Sequence, residues 1–404
     1  MLQRALVGTL QGVSHGVELA VRGGAAPLVL GLRWRGWKRL VRREGAPAPR
    51  RGLALASKVA LDEIFYASEV VSATMASLRE LRRVARELEE ALTLYEARGW
   101  LDHPEGFHIA PPPLRDVETE TKRSRFGDHA HVRFESGYAP HPGEPGRERW
   151  QGYQANRTAH VRLLEHPGPP RPWLVCIPGY RMGQVAVDFM GFRTRWLHRT
   201  LGLNVAIPVM PLHGPRRAGR RGGDGWFSGE LLDTVHAQAQ AIWDLRRLVD
   251  WLRHHKHAPN VGAYGVSLGA HTAALLAAHD AELACVIAGI PASDLVRLLR
   301  THVPEVVVRA AERLGHLSLD SAARALRVVS PLAVRPLVPR EHRYLYAGVA
   351  DRLASPEHAL DLWRHWEEPR LAWYQGSHIS FLWERSVTAL LREALVDSGL
   401  LARI

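Results

Sequence analysis

The chain of 404 residues is 46% hydrophobic and 23% charged, with 35 Gly and 26 Pro in no triplet period and no repeat, which excludes a disordered, collagen-like or solenoid protein and predicts a globular one. Its net charge is +12, of which residues 1–52 carry +8 (ten Arg or Lys less Glu18 and Glu44), leaving +4 for the remainder. No stretch approaches the roughly 18 consecutive apolar residues a spanning helix needs, and MLQRALVGTLQGVSHG lacks an uninterrupted apolar core with a cleavage site, so a cytoplasmic protein is expected.

In chain order, the basic arm of residues 1–52 comes first. With Trp34 and Trp37 beside its arginines, it suits peripheral contact with an anionic membrane surface. An arginine preference of coding origin gives the same skew, because the 53 basic residues include four lysines and hence 49 arginines. Nucleic acid is not expected as a partner, since no zinc-finger spacing, basic zipper or aromatic-basic RNA motif accompanies the charge. Residues 53–98 lack Pro and space apolar residues helically, predicting one long helix or two shorter ones. Gly99 ends them, and a linker with Pro111, Pro112 and Pro113 completes an extension over 53–128. Residues 129–139 and 157–166 alternate and read as antiparallel strands; His129 and His131 share a face and are expected to be exposed rather than metal-bound.

From residue 173 the pattern becomes short apolar runs separated by helical stretches, as in a parallel sheet with crossover helices. Strands are predicted at 173–178, 203–209, 260–265, 283–289, 342–348 and 370–376, and helices at 230–254, 268–279, 356–366 and 380–397. The interval of about 292–338 exceeds a simple crossover and is expected to form a helical cap above the strand ends. Cys176 and Cys285 each lie inside an apolar run, as buried thiols do.

The chemistry centres on Gly265-Val266-Ser267-Leu268-Gly269. The spacing G-x-S-x-G is weak alone, but here a strand leads in and a small-residue helix leads out, the context of a nucleophile elbow. A serine hydroxyl needs a base, and the base an acid. Asp351 follows the strand at 342–348 and His378 follows the strand at 370–376. Ser267, Asp351 and His378 therefore all fall at carboxyl ends of predicted strands, which face one crevice in an open α/β sheet. Glu357 and Asp294 are reserve acids. The cluster His254, His255 and His257 reads as a solvated helix end.

Over about residues 130–404 these features resemble the α/β-hydrolase superfamily, and RGW (35–37) and PLHGPRR (211–217) resemble a branch containing a eukaryotic abhydrolase-domain protein. The resemblance implies an α/β-hydrolase fold and an oxyanion hole from the backbone N–H of Leu268 and of Tyr180, the latter in the loop Pro178-Gly179-Tyr180-Arg181. Pro178 stands where many members carry His.

Arg181, His213, Arg216 and Arg217 are candidates to bind an anionic group of the substrate; a solvated Arg-rich loop is the alternative. The expected protein is a serine hydrolase acting on a carboxylic ester, lipid-like or anionic in class, with no metal or organic cofactor. A peptidase or acyltransferase on the same triad, and a non-catalytic protein binding a lipid surface or a partner, remain open.

Overall fold

The computed structural model describes residues 44–72, 77–227, 230–303 and 305–402; the membrane-arm reading of residues 1–52 therefore lies, up to residue 43, outside the described residues. Helix α1 (Leu53–Ser72) and helix α2 (Leu78–Ala97) form the extension. A capping box starts α2, with Ser77 Oγ accepting from Glu80 N–H (3.3 Å) and Glu80 Oε2 accepting from Ser77 N–H (2.7 Å). Strands β1 (Glu118–Lys122) and β2 (His129–Glu135), helix α3 (Arg147–Gly152) and strand β3 (Thr158–Leu164) follow.

The crossover region then alternates β4 (Trp173–Ile177), α4 (Val185–Gly191), β5 (Asn204–Pro208), α5 (Leu231–His254), β6 (Val261–Val266), α6 (Leu268–Leu276) and β7 (Val286–Gly289). An insertion of α7 (Leu295–His302), α8 (Glu305–Gly315) and α9 (Leu319–Leu326) precedes β8 (Arg343–Gly348), α10 (Pro356–His365), β9 (Arg370–Tyr374) and α11 (Arg385–Asp397). No helix among the described residues is long and apolar enough to cross a membrane.

The nine strands among the described residues join one sheet in the order β1-β2-β3-β5-β4-β6-β7-β8-β9. The pairs among β1, β2, β3 and β5 are antiparallel, and every pair from β5 through β4 to β9 is parallel. Alternation along the central strands fills two cores. Trp173, Val175 and Ile177 of β4 pack with Leu245, Val249 and Leu252 of α5 and with α6, whereas Leu174 and Cys176 pack with Phe189 of α4 and Leu391 and Leu395 of α11. Both faces are thus covered, which is why the strands read as nearly continuous apolar runs.

The predicted parallel strands are present to within a few residues, and the shortest is β7, where the first three residues of the predicted run precede the pairing. Strand β1 lies within the predicted linker. Its sequence ETETK has no apolar face and all five residues are exposed, so it carries no burial signal and is ordered by pairing with β2. The expectation of exposed strand histidines is corrected: His129 is buried, with the Phe189 ring of α4 meeting it edge-on at 5.3 Å, and half-buried His131 lies with Nε2 3.0 Å from His160 Nδ1. The extension shares the main core rather than standing apart, since Val84, Leu88, Ala91, Leu92 and Tyr95 of α2 belong to it. The insertion leans on α2: Arg82 Nε donates to Leu314 O at 3.2 Å, and Arg324 pairs with Glu96.

Candidate active site

The turn from β6 into α6 puts Ser267 at φ 57° and ψ −118°, a backbone state that costs a non-glycine residue about 1–3 kcal/mol and persists where the surroundings over-determine it. Here they do. Ser267 N–H donates to Gly289 O at 2.9 Å, and Ser267 O accepts from Ala270 N–H at 3.0 Å. The turn is tight enough that a Cβ on Gly265 would lie 2.0 Å from Gly269 O, and one on Gly269 would lie 2.0 Å from Ile177 O. Glycine at both positions is therefore a steric requirement.

The loops after β8 and β9 are stitched together, Val349 N–H to Tyr374 O (3.1 Å) and Ala350 N–H to Gly376 O (3.0 Å). They bring Asp351 and His378 to the elbow. His378 Nε2 lies 2.9 Å from Ser267 Oγ, and His378 Nδ1 lies 2.7 Å from Asp351 Oδ2. Asp351 Oδ1 accepts from Leu353 N–H and Ala354 N–H, both at 2.9 Å, which fixes the carboxylate. With Nδ1–H directed at that carboxylate, neutral His378 presents an unprotonated Nε2 to the hydroxyl. Burial disfavours its imidazolium, but the Asp351 carboxylate, reinforced by the more distant Asp62, outweighs burial and raises the His378 pKa above the ordinary histidine value.

The amides of Leu268, next to Ser267, and of Tyr180 have no acceptor among the described residues. Gly179 lets their two segments meet, because a Cβ there would lie 2.9 Å from Val266 O and 3.2 Å from Ser267 Cβ. Pro178 does not prevent this close approach.

The four candidate anion binders are mostly committed to partners within the protein. Arg181 Nε donates to Glu69 Oε2 (2.8 Å) and Arg181 Nη1 to Asp224 Oδ1 (2.7 Å), so two carboxylates already occupy its charge. His213 is fully buried; its ring pairs with Pro211 O through Nδ1 (2.9 Å) and accepts Arg181 N–H at Nε2 (3.3 Å). Burial lowers its pKa to about 4, and the neutral ring is a brace for the Tyr180-Arg181 loop. Arg216 is 1% exposed and donates to Asp244 Oδ2 (2.8 Å), Val209 O (3.1 Å) and Asn156 O (3.0 Å), so its guanidinium is spent inside the protein. Arg217 is exposed. Of the reserve acids, Asp294 caps α7 by accepting Arg297 N–H at 2.9 Å.

Removing one partner of a buried ion pair strands the other, at a cost of about 3–5 kcal/mol. Arg216→Ala is expected to lose that much stability in urea titration, because among the described residues Asp244 keeps only Ser136 Oγ as a side-chain donor (2.6 Å). A variant within 1 kcal/mol of the parent would contradict the ion-pair reading.

Sequence reasoning missed α1 altogether as a contributor. Asp62 is 0% exposed, and its Oδ2 accepts His378 N–H (2.9 Å) and Arg352 N–H (3.3 Å), while Oδ1 accepts Ile379 N–H (3.1 Å). Lys58 O accepts from Ser377 Oγ at 2.7 Å, and Glu69 accepts from Tyr180 Oη (3.2 Å) as well as Arg181. In KVALDEIFYASE (58–69) these look like ordinary polar positions of an amphipathic helix, so no local signal marks them.

Residues 217–325 match the family of X-Pro dipeptidyl-peptidases (S15 family). The chain is 41% identical over 356 residues to the uncharacterized protein MT2702 of Mycobacterium tuberculosis (strain CDC 1551 / Oshkosh), covering 88% of this chain and 85% of the relative. Among solved structures, acetyl xylan esterase from Paenibacillus sp. R4 aligns with TM-score 0.52 at 14% identity, covering 73% of this chain and 93% of that one. Acetyl xylan esterase 1 from Thermoanaerobacterium sp. JW/SL YS485 aligns with TM-score 0.51 at 13% identity, covering 80% and 99%; at these identities the likeness is one of fold. Together with the sheet order and the strained serine between β6 and α6, these findings mean that the chain is of one family with the mycobacterial protein and has the α/β-hydrolase fold.

Proposed function

We propose that the protein is a serine hydrolase that cleaves a carboxylic ester through an acyl-enzyme. The observation that carries this reading is the strained Ser267 with His378 Nε2 at 2.9 Å and Asp351 behind the imidazole at 2.7 Å. Ser267 Oγ attacks the carbonyl carbon as its proton passes to His378 Nε2. Asp351 holds the tautomer and balances the imidazolium, which then gives the proton to the leaving alcohol. Water, deprotonated by the same nitrogen, releases the acid and restores Ser267. The Leu268 and Tyr180 amides receive the oxyanion, each donor being worth about 3–4 kcal/mol in comparable sites.

The likeness of residues 217–325 to a dipeptidyl-peptidase family favours an amide bond as the second reading, since the same triad serves either leaving group. The test is incubation with a fluorophosphonate followed by peptide mass analysis, in parallel with nitrophenyl acetate and X-Pro nitroanilide turnover. An adduct on Ser267 with ester turnover is expected. Preferential anilide turnover selects the peptidase, and a folded protein that neither labels nor turns over either substrate overturns both.

A further inference from the structure

Helix α1 lies across the loops that carry the site, and one of its side chains enters it. Asp62 is a fully buried carboxylate whose oxygens accept three backbone N–H groups, two from the His378 loop and one from the Asp351 loop. A buried carboxylate is costly unless its charge is compensated, and among the described residues no side-chain cation is bonded to it. The nearby cations are engaged elsewhere: Lys58 donates to Gln375 O (2.9 Å) and pairs with Glu384, and Arg352 lies 3.1 Å from Glu63 Oε1. Tyr374, the other titratable neighbour, donates its hydroxyl to Ser377 O at 2.8 Å. What remains for the Asp62 charge to face is Asp351 and the imidazole of His378.

We propose that Asp62 is a positioning residue of the reaction: it fixes the backbone of His378 against the Asp351 loop and, as a second anion beside Asp351, supports the imidazolium formed at each proton transfer. The proposal rests on the serine-hydrolase reading. Asp62 is not in contact with the reacting atoms; it acts through His378. Burial and the Asp351 charge push its own pKa up to about 6, against the opposing pull of the His378 ring and of the His378 and Ile379 amides. Asp62 is therefore ionised above that pH and loses its support for the imidazolium below it.

The test is an NMR titration of the His378 ring, which needs no turnover, together with kcat and KM against pH. Asp62→Asn keeps a carbonyl oxygen for the loops but removes the charge. The His378 titration is expected to move down by about one pH unit, carrying the acid limb of kcat/KM with it, and kcat to fall about tenfold with KM little changed. Asp62→Glu restores the charge and should return the limb toward its parent position. A loop-holding role alone lowers melting temperature in both variants and leaves the His378 titration unmoved, which overturns the proposal. Should neither variant fold, the parent decides: His378 ring shifts with a second inflection near pH 6 support the coupling, and one inflection refutes it. Fluorophosphonate labelling of Ser267 with no Asp62 effect sinks this inference alone, whereas an Asp62 effect without labelling or turnover sinks the hydrolase reading.

Discussion

Ser267→Ala is expected to lower kcat by about 10⁴–10⁶-fold, leaving the residual catalysis that an oxyanion site and substrate binding give without a nucleophile. The loss is this large because Ser267 is the only group presented to His378 Nε2 in the hydrogen-bonded chain among the described residues, so removing it leaves a base with nothing to activate. Stability should be nearly unchanged. Alanine keeps the Cβ, the backbone bonds from Ser267 N–H to Gly289 O and from Ala270 N–H to Ser267 O persist, and the hydroxyl makes no bond within the elbow. Steady-state kinetics beside a thermal melt separates the two effects. A variant that keeps a tenth of parental turnover would show that Ser267 is not the nucleophile.

Gly269→Ala should do the reverse, destroying stability first. The added methyl would lie 2.0 Å from Ile177 O and 2.7 Å from Pro178 O, far inside contact distance. Neither oxygen has room to retreat, because β4 is held between β5 and β6 at the centre of the sheet. Overpacking of backbone on backbone belongs among the exceptional substitutions, at about 4–5 kcal/mol or more. Gly52→Ala is the matched control, since nothing lies within 4 Å of a Cβ there. The first variant is expected to be insoluble or to melt far below the parent and the second to melt with it; equal melting temperatures would mean that the elbow yields.

The sheet is legible in the sequence because a strand covered on both faces writes itself as an apolar run, and both faces are covered from β4 to β8. The same logic hides β1, whose five exposed residues bury nothing. Ser267, Asp351 and His378 are legible as a set because Ser267 directly follows β6 while Asp351 and His378 lie in the short loops just past β8 and β9, so the sheet brings all three to one edge. Arg216 is misread for the opposite reason. An arginine in a Gly- and Arg-rich loop looks solvated, and only the fold reveals Asp244, 28 residues away, as its buried partner. Asp62 is hidden further still, because its partners at His378 and Ile379 are 316 and 317 residues distant and nothing in helical periodicity distinguishes a polar residue that meets solvent from one that meets a distant loop.

That separation sets a timetable for synthesis. At about 5–20 residues per second, a ribosome needs roughly a quarter to one minute to make the 316 residues between Asp62 and His378. The Asp62 contacts of the first described helix must therefore wait until nearly the whole sheet is made, although Glu69 of the same helix meets Tyr180 and Arg181, 111 and 112 residues on, and the set of contacts around His378 is complete only when the last strand and its loop arrive. A nascent chain, or one truncated before His378, holds Ser267 without its imidazole partner, so the Ser267–His378–Asp351 contacts are among the last that synthesis allows.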